Sequence, residues 1–64
     1  MSTGMKIKLK RIEMGLTAKE LAEQVGITNS YLSSIEHDKF VPSLKVLRRL
    51  AKVFNCSVFN FIEE

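Results

Sequence analysis

Apolar residues recur along the chain at helical spacing, and the breaks between them fall at residues that start or stop helices. Leu44, Leu47, Leu50, Ala51 and Phe54 mark one apolar face, opened by Ser43 and closed by Asn55. Leu21, Ala22 and Val25 mark a shorter face that begins behind Thr17 and stops at Gly26. Thr17 is followed three residues later by Glu20, the spacing at which a hydroxyl and a carboxylate satisfy each other's backbone amides at a helix start. Thr28 opens a third helix, with Leu32, Ile35 and Glu36 along one side. Ser57 caps a short closing helix from Val58 to Ile62, in which Val58, Phe61 and Ile62 face the core and Phe59 points elsewhere. The first helix is expected from Met5 to Met14, with Gly15 as a left-handed cap. It carries two apolar stripes, one of Ile7, Arg11 and Met14 and one of Met5, Leu9, Ile12 and Leu16. Periodicity alone does not decide which stripe packs inward and which is left for the C-terminal helix or a second subunit.

The expectation is therefore an all-α fold of five helices, residues 5–64, behind a flexible lead-in of residues 1–4. Length agrees: 64 residues make one domain, and a domain this small buries only about 60% of its unfolded surface. One proline and three glycines leave room for helices with short connections and not for many strands and turns. The net charge is +3 and the isoelectric point about 9.3, a modest basic excess that suits a phosphate-bearing partner without proving one. Its distribution says more, because Lys6, Lys8, Lys10, Arg11 and Lys19 crowd the first third and Lys45, Arg48, Arg49 and Lys52 crowd the fourth helix. The single cysteine, Cys56, excludes an internal disulfide and reads as a buried reduced thiol, which points to a reducing cytoplasm. No apolar run reaches the length of a signal peptide or a membrane span, so no membrane partner is expected.

The segment Thr17 to Glu36, TAKELAEQVGITNSYLSSIE, holds two short helices joined by the tight turn Gly26-Ile27-Thr28. Ala22 is small where the helices cross, Gly26 permits a positive φ, and Val25, Leu32 and Ile35 lock the pair. Such a unit holds one helix proud of a surface at a fixed angle, although a plain helical hairpin has the same spacing. The outer face of the third helix separates the two readings. Asn29, Ser30, Ser33 and Ser34 make it polar, uncharged and short-chained, whereas an ordinary solvated face is rich in Lys and Glu and serine is a mediocre helix former. This face is built for close approach.

GLTAKELAEQVGITNSYLSSIE, followed by PSLKVLRRLA and SVFNFI, resembles the Cro/C1-type (XRE) helix-turn-helix family over residues 6 to 62. The resemblance implies a compact, five-helix, lambda-repressor-like domain whose third helix enters the major groove. It implies a transcriptional regulator, a repressor in the first instance, that binds double-stranded DNA as a homodimer on an inverted-repeat operator. It also implies a prokaryotic or phage protein of the cytoplasm, associated with the nucleoid. Thr28, Asn29, Ser30, Ser33 and Ser34 match positions that read bases or touch nearby phosphates. Asn29 is the best base reader of these, because its amide can pair with adenine N6 and N7, with Ser30 and Ser34 as weaker readers. Thr17, Ala18, Thr28, Ser33, Lys39, Ser43 and Lys45 match the positions that grip the phosphate backbone or lie beside it. Tyr31 is open between phosphate contact and packing. Arg11 and Glu36 lie on inward stripes, a buried charge requires a partner, and the family pairs these two positions. Phe59 is the candidate dimer contact, with Leu9 or Ile12 beside it. The chain departs from the family pattern in two ways. Ala18 stands where many relatives have a phosphate-binding glutamine, which leaves that contact to the helix N-terminal amides. The reading face has neither arginine nor glutamine, which weakens base discrimination and shifts weight to DNA shape.

Other chemistries find too few residues. His37 is the only histidine and reads with Asp38 as a solvated pair at a helix end. The serines lack a pocket or oxyanion hole for a triad, Cys56 and His37 are too few for zinc, and no glycine-rich phosphate loop occurs. No enzyme, cofactor, metal site or small-molecule ligand is expected. A protein-interaction module that kept the fold without DNA binding, such as an antirepressor or a regulatory subunit, is the alternative from a different class.

Overall fold

In the computed structural model, which describes residues 1–62, the chain forms four α-helices and a closing 3₁₀ turn, not five helices. The helices are α1 (Thr3–Glu13), α2 (Ala18–Val25), α3 (Asn29–Glu36) and α4 (Leu44–Val53), and the turn is Val58–Phe61. The last two residues of the expected 5–64 domain lie outside the described residues. Each α-helix opens on a hydroxyl that accepts an amide from its first turn: Ser2 from Met5, Thr17 from Glu20, Thr28 from Tyr31 and Ser43 from Val46. The box at α2 is complete, with Glu20 N to Thr17 Oγ1 at 3.1 Å and Thr17 N to Glu20 Oε1 at 2.8 Å. The backbone bond holds the Glu20 carboxyl below its ordinary value.

The sequence pattern places the first helix start at Met5, behind a lead-in. The helix instead begins at Thr3 and takes in Gly4, which is buried. Its reason is tertiary: a Cβ on Gly4 would lie 2.3 Å from the Ile35 carbonyl oxygen and 2.9 Å from that of Glu36, so α1 packs its backbone directly on the end of α3. Thr3 Oγ1 donates to the Phe61 carbonyl at 2.6 Å and joins the helix start to the closing turn. Of the two α1 stripes, Gly4 and Ile7 face inward with Arg11 half-buried, while Met5, Leu9 and Ile12 are exposed. Each stripe loses its last member. Met14 caps the helix and is exposed, and Leu16 packs on the core because the chain turns at Gly15.

The core gathers Ile7, Leu21, Ala22, Val25, Leu32, Ile35, Val46, Leu47, Leu50, Ala51, Phe54 and Phe61. Leu44, expected among them, is 52% exposed, and Val46 takes its place. The inward arc of α4 is centred on Leu47 and Leu50, and Leu44 falls at its edge on the first residue of the helix. The closing element differs for a related reason. A 3₁₀ turn has about three residues per turn, so positions three apart eclipse. Val58 and Phe61 therefore share the inner side, and Phe59 and Ile62 share the outer side, where they are 75% and 45% exposed. An α-helix would have carried Ile62 inward with Val58. Phe61 is buried with its ring 5.9 Å from that of Phe54, tilted by 59°. Cys56 is a half-buried free thiol packed against this core. Among the described residues no helix is long and apolar enough to cross a membrane.

Candidate nucleic-acid interface

α2 and α3 cross through Ala22, Val25, Leu32 and Ile35, all buried. Gly26 makes the turn between them with φ 79 and ψ 32, its amide donating to the Ala22 carbonyl at 2.9 Å. A residue with a Cβ rarely adopts that conformation, so the crossing angle depends on glycine here. The turn delivers Thr28 as N-cap, Oγ1 taking the Tyr31 amide at 3.0 Å, and α3 follows.

The crossing brings the start of α2 against the outer face of α3. Ala18, Asn29, Ser30 and Ser33 line one shallow open groove. Asn29, Ser30 and Ser33 are exposed there, while Ser34 is half-buried and outside the groove lining. Ser33, assigned from the sequence to the phosphate side, therefore shares the groove with Asn29 and Ser30, and Ser34 does not. The capping box occupies the Thr17 hydroxyl and the Glu20 amide. The amides of Ala18 and Lys19 take no bond among the described residues, as expected of a first helical turn, and they carry the positive end of the helix dipole. A small side chain at Ala18 leaves that end uncovered. The groove thus offers amide, hydroxyl and carboxamide groups and no fixed charge.

The chain also presents exposed cations. Lys39 and Lys45 are exposed, and the only ion pair among the described residues lies elsewhere, so neither is paired among those residues. Ser43 is exposed, but its hydroxyl is engaged with the Val46 amide at 3.2 Å. Arg48, Arg49 and Lys52 are exposed along α4. Tyr31 is half-buried, packed on the core with its ring 6.5 Å from Phe40, which is the packing arrangement of the two left open.

Arg11 and Glu36 meet between α1 and the end of α3. Arg11 Nε donates to Glu36 Oε2 at 2.8 Å and Nη2 to Oε1 at 3.1 Å, and Nη1 donates to the Leu16 carbonyl at 3.0 Å. The side chains are 14% and 5% exposed. The Glu36 bond raises the Arg11 pKa, against the opposing effect of burial. The pair ties α1 and the chain after it to the end of α3. His37 and Asp38 do not form the solvated pair expected of them. His37 Nδ1 donates to the Ser33 carbonyl at 2.7 Å, and Asp38 turns to α1, where Ser2 Oγ and Gly4 N donate to it. The sequence pattern missed this contact of Ser2, Gly4 and Asp38. The available signals were a serine placed to cap a helix and an Asp, a residue that tolerates left-handed backbone, just after α3.

Two helices joined by a glycine turn, the second standing proud with an uncharged polar face, define a helix-turn-helix domain. The comparisons agree: the helix-turn-helix family profile matches residues 7–60, and the chain belongs to the Cro/C1-type helix-turn-helix family. It is 40% identical over 62 residues to the HTH-type transcriptional regulator SinR of Bacillus subtilis (strain 168), covering 95% of this chain and 56% of that protein. It is 38% identical over 64 residues to the immunity repressor protein of Bacillus phage phi105, covering all of this chain and 44% of that one. The chain thus spans about half the length of these curated relatives. A crystal structure of SinR, a master regulator for biofilm formation, in complex with DNA superposes with a TM-score of 0.89 at 39% identity, covering 95% of this chain and 98% of that one.

Proposed function

We propose that this domain is a transcriptional regulator, a repressor, that binds double-stranded DNA sequence-specifically with α3 in the major groove. One observation carries the reading: Asn29, Ser30 and Ser33 are exposed together, beside the free amides of the α2 start, on a helix face without charge. Such a face can approach base edges closely, while the exposed Lys39 and Lys45 supply flexible point charges for phosphates. The DNA-bound SinR structure and the repressor of phage phi105 support it by likeness. Asn29, Ser30 and Ser34 are assigned to base contact and Thr17, Ala18, Thr28, Ser33, Lys39, Ser43 and Lys45 to the backbone, with Ser33 promoted toward the bases by its place in the groove. The setting is the cytoplasm, at the nucleoid.

The same reading makes the domain a homodimer on an inverted-repeat operator. Phe59 is exposed with Ile62 on the outer side of the closing turn, and the exposed Leu9 lines a shallow cleft with Asn60 and Phe61. An apolar surface of this kind suits a symmetric contact, and symmetry suits a palindrome with half-sites about one helical turn apart.

The test separates reading from gripping. Asn29→Ala is expected to cost about 1–3 kcal/mol on the preferred site, relax selection at one base pair and leave binding to scrambled DNA unchanged. Lys45→Ala is expected to weaken both DNAs alike and to lower the salt slope by about one, since fewer counterions are released. Equal losses on both DNAs for Asn29→Ala would show that α3 does not read sequence. A parent indifferent to DNA would favour the interaction module.

A further inference from the structure

The short helix proposed to read DNA is held at both ends by different means. Its start is held locally, by the Gly26 turn and the bond from the Tyr31 amide to Thr28. Its end is held by a distant part of the chain. Asp38 lies in the left-handed region with φ 59, its amide donating to the Ile35 carbonyl at 3.0 Å and the Lys39 amide to the Ser34 carbonyl at 2.9 Å. This conformation turns the carboxylate back onto the first turn of α1. Oδ2 accepts from Ser2 Oγ at 2.5 Å and Oδ1 from Gly4 N at 3.1 Å. A carboxylate there also meets the positive end of the α1 dipole. Ser2 Oγ accepts the Met5 amide at 3.1 Å as well, so the α1 cap and the clamp are one unit. Gly4 allows the contact, because without a Cβ the α1 backbone lies on the Ile35 and Glu36 carbonyls.

We propose that Asp38 is a positioning residue for DNA reading. By tying the end of α3 to the start of α1, it fixes the tilt at which Asn29, Ser30 and Ser33 are presented and the place of Lys39 beside it, without itself contacting a base. The inference rests on the DNA-binding reading above and adds to it a specificity determinant outside the reading face. α3 has eight residues, about two turns, so a small change of tilt moves every reading group. Hydrogen bonds to base edges demand close distance and alignment, whereas long lysines follow a phosphate through such a change.

Charge alone gives the opposite expectation, and this makes the inference testable by sign. Asp38 is an exposed acid, and removing it raises the net charge from +3 to +4 (one acid fewer), which strengthens binding to any DNA. Asp38→Gly keeps the left-handed backbone at no steric cost and deletes the carboxylate. Asp38→Asn tolerates the same backbone and keeps an acceptor oxygen without the charge. Ser2→Ala removes one of the two bonds without touching α3. Affinities of each variant are measured for the duplex that the parent selects and for a scrambled duplex, with circular dichroism reporting the fold. Asp38→Gly is expected to lose about tenfold on the selected duplex, the size of one degraded base contact, while holding or gaining on scrambled DNA. Asp38→Asn is expected to keep the preference, and Ser2→Ala to lose part of it. A folded Asp38→Gly whose preference equals the parent's overturns the inference. Should Asp38→Gly not fold, a Ser2→Ala with the parental preference overturns it. A parent that does not discriminate between DNAs overturns the DNA-binding reading and this inference together. A discriminating parent with indifferent variants overturns this inference alone.

Discussion

Replacing Arg11 by methionine removes a guanidinium that makes three bonds and leaves a carboxylate behind it with almost no access to water. Glu36 loses partners at 2.8 and 3.1 Å and the Leu16 carbonyl loses one at 3.0 Å, with the Glu36 side chain 5% exposed. Breaking a buried pair by removing one member costs about 3–5 kcal/mol, because the remaining charge stays desolvated. The orphaned carbonyl adds about 1 kcal/mol. A domain of this length has a total stability on the order of 3–10 kcal/mol, so Arg11→Met is expected to sit near the edge of folding at room temperature. In a domain of this size each kcal/mol moves the melting point by about 4–8 °C, so a drop of roughly 12 °C or more is expected. Urea and thermal unfolding followed by circular dichroism give both quantities. A control identifies the cause. Arg11→Met combined with Glu36→Met is expected to recover most of the loss, since an apolar pair of similar volume needs no counter-charge. If Arg11→Met melts within about two degrees of the parent, against the shift that a buried pair requires, the pair does not hold α1 to α3.

Gly4→Ala, which in an ordinary helix position stabilises by about 0.5–1 kcal/mol, is expected to destabilise here by at least 1–3 kcal/mol, because its Cβ would meet the Ile35 carbonyl. Thermal melts decide the sign, and an unchanged or higher melting point would contradict the close α1–α3 packing. Glu20 has a lowered folded pKa, so its contribution is present above the unfolded carboxylate range and fades as pH falls through the lowered value. The stability gap between the parent and Glu20→Gln is therefore expected to be flat near neutrality and to shrink in acid, and a gap that widens in acid would contradict the capping box. Phe59→Ser is expected to leave the monomer's melting point unchanged, since the ring is exposed, and to abolish self-association in sedimentation at high concentration or on DNA. A parent that is monomeric in both conditions removes the dimer.

What the sequence made legible was what short-range chemistry controls. Thr17 with Glu20, Gly26, Thr28 and Ser43 announce their helix ends because a cap is a contact between neighbours. The α1 start was hidden, although Ser2 is an ordinary cap. Gly4 disfavours a helix by propensity and is justified only by the carbonyls of a helix more than thirty residues away. Ile62 was misplaced because a closing element of four residues winds with three residues per turn, a choice that four residues of sequence do not reveal. At the interface, the uncharged face of α3 was legible, but which serines join Asn29 was not. That depends on where α2 crosses, so Ser33 shares the groove with Ala18 and Ser34 falls half under the helix. The Asp38 clamp joins residues 36 positions apart, beyond the reach of any local pattern.

Whether this fold reads DNA is tested most directly by selecting binding sites for the parent chain from random duplexes and titrating the winners with salt. Enrichment of one sequence with two-fold symmetry, half-sites about one helical turn apart and an affinity that falls steadily with salt is the expected result. A pool that stays random through the selection, or binding that ignores both sequence and salt, would contradict a DNA-reading α3.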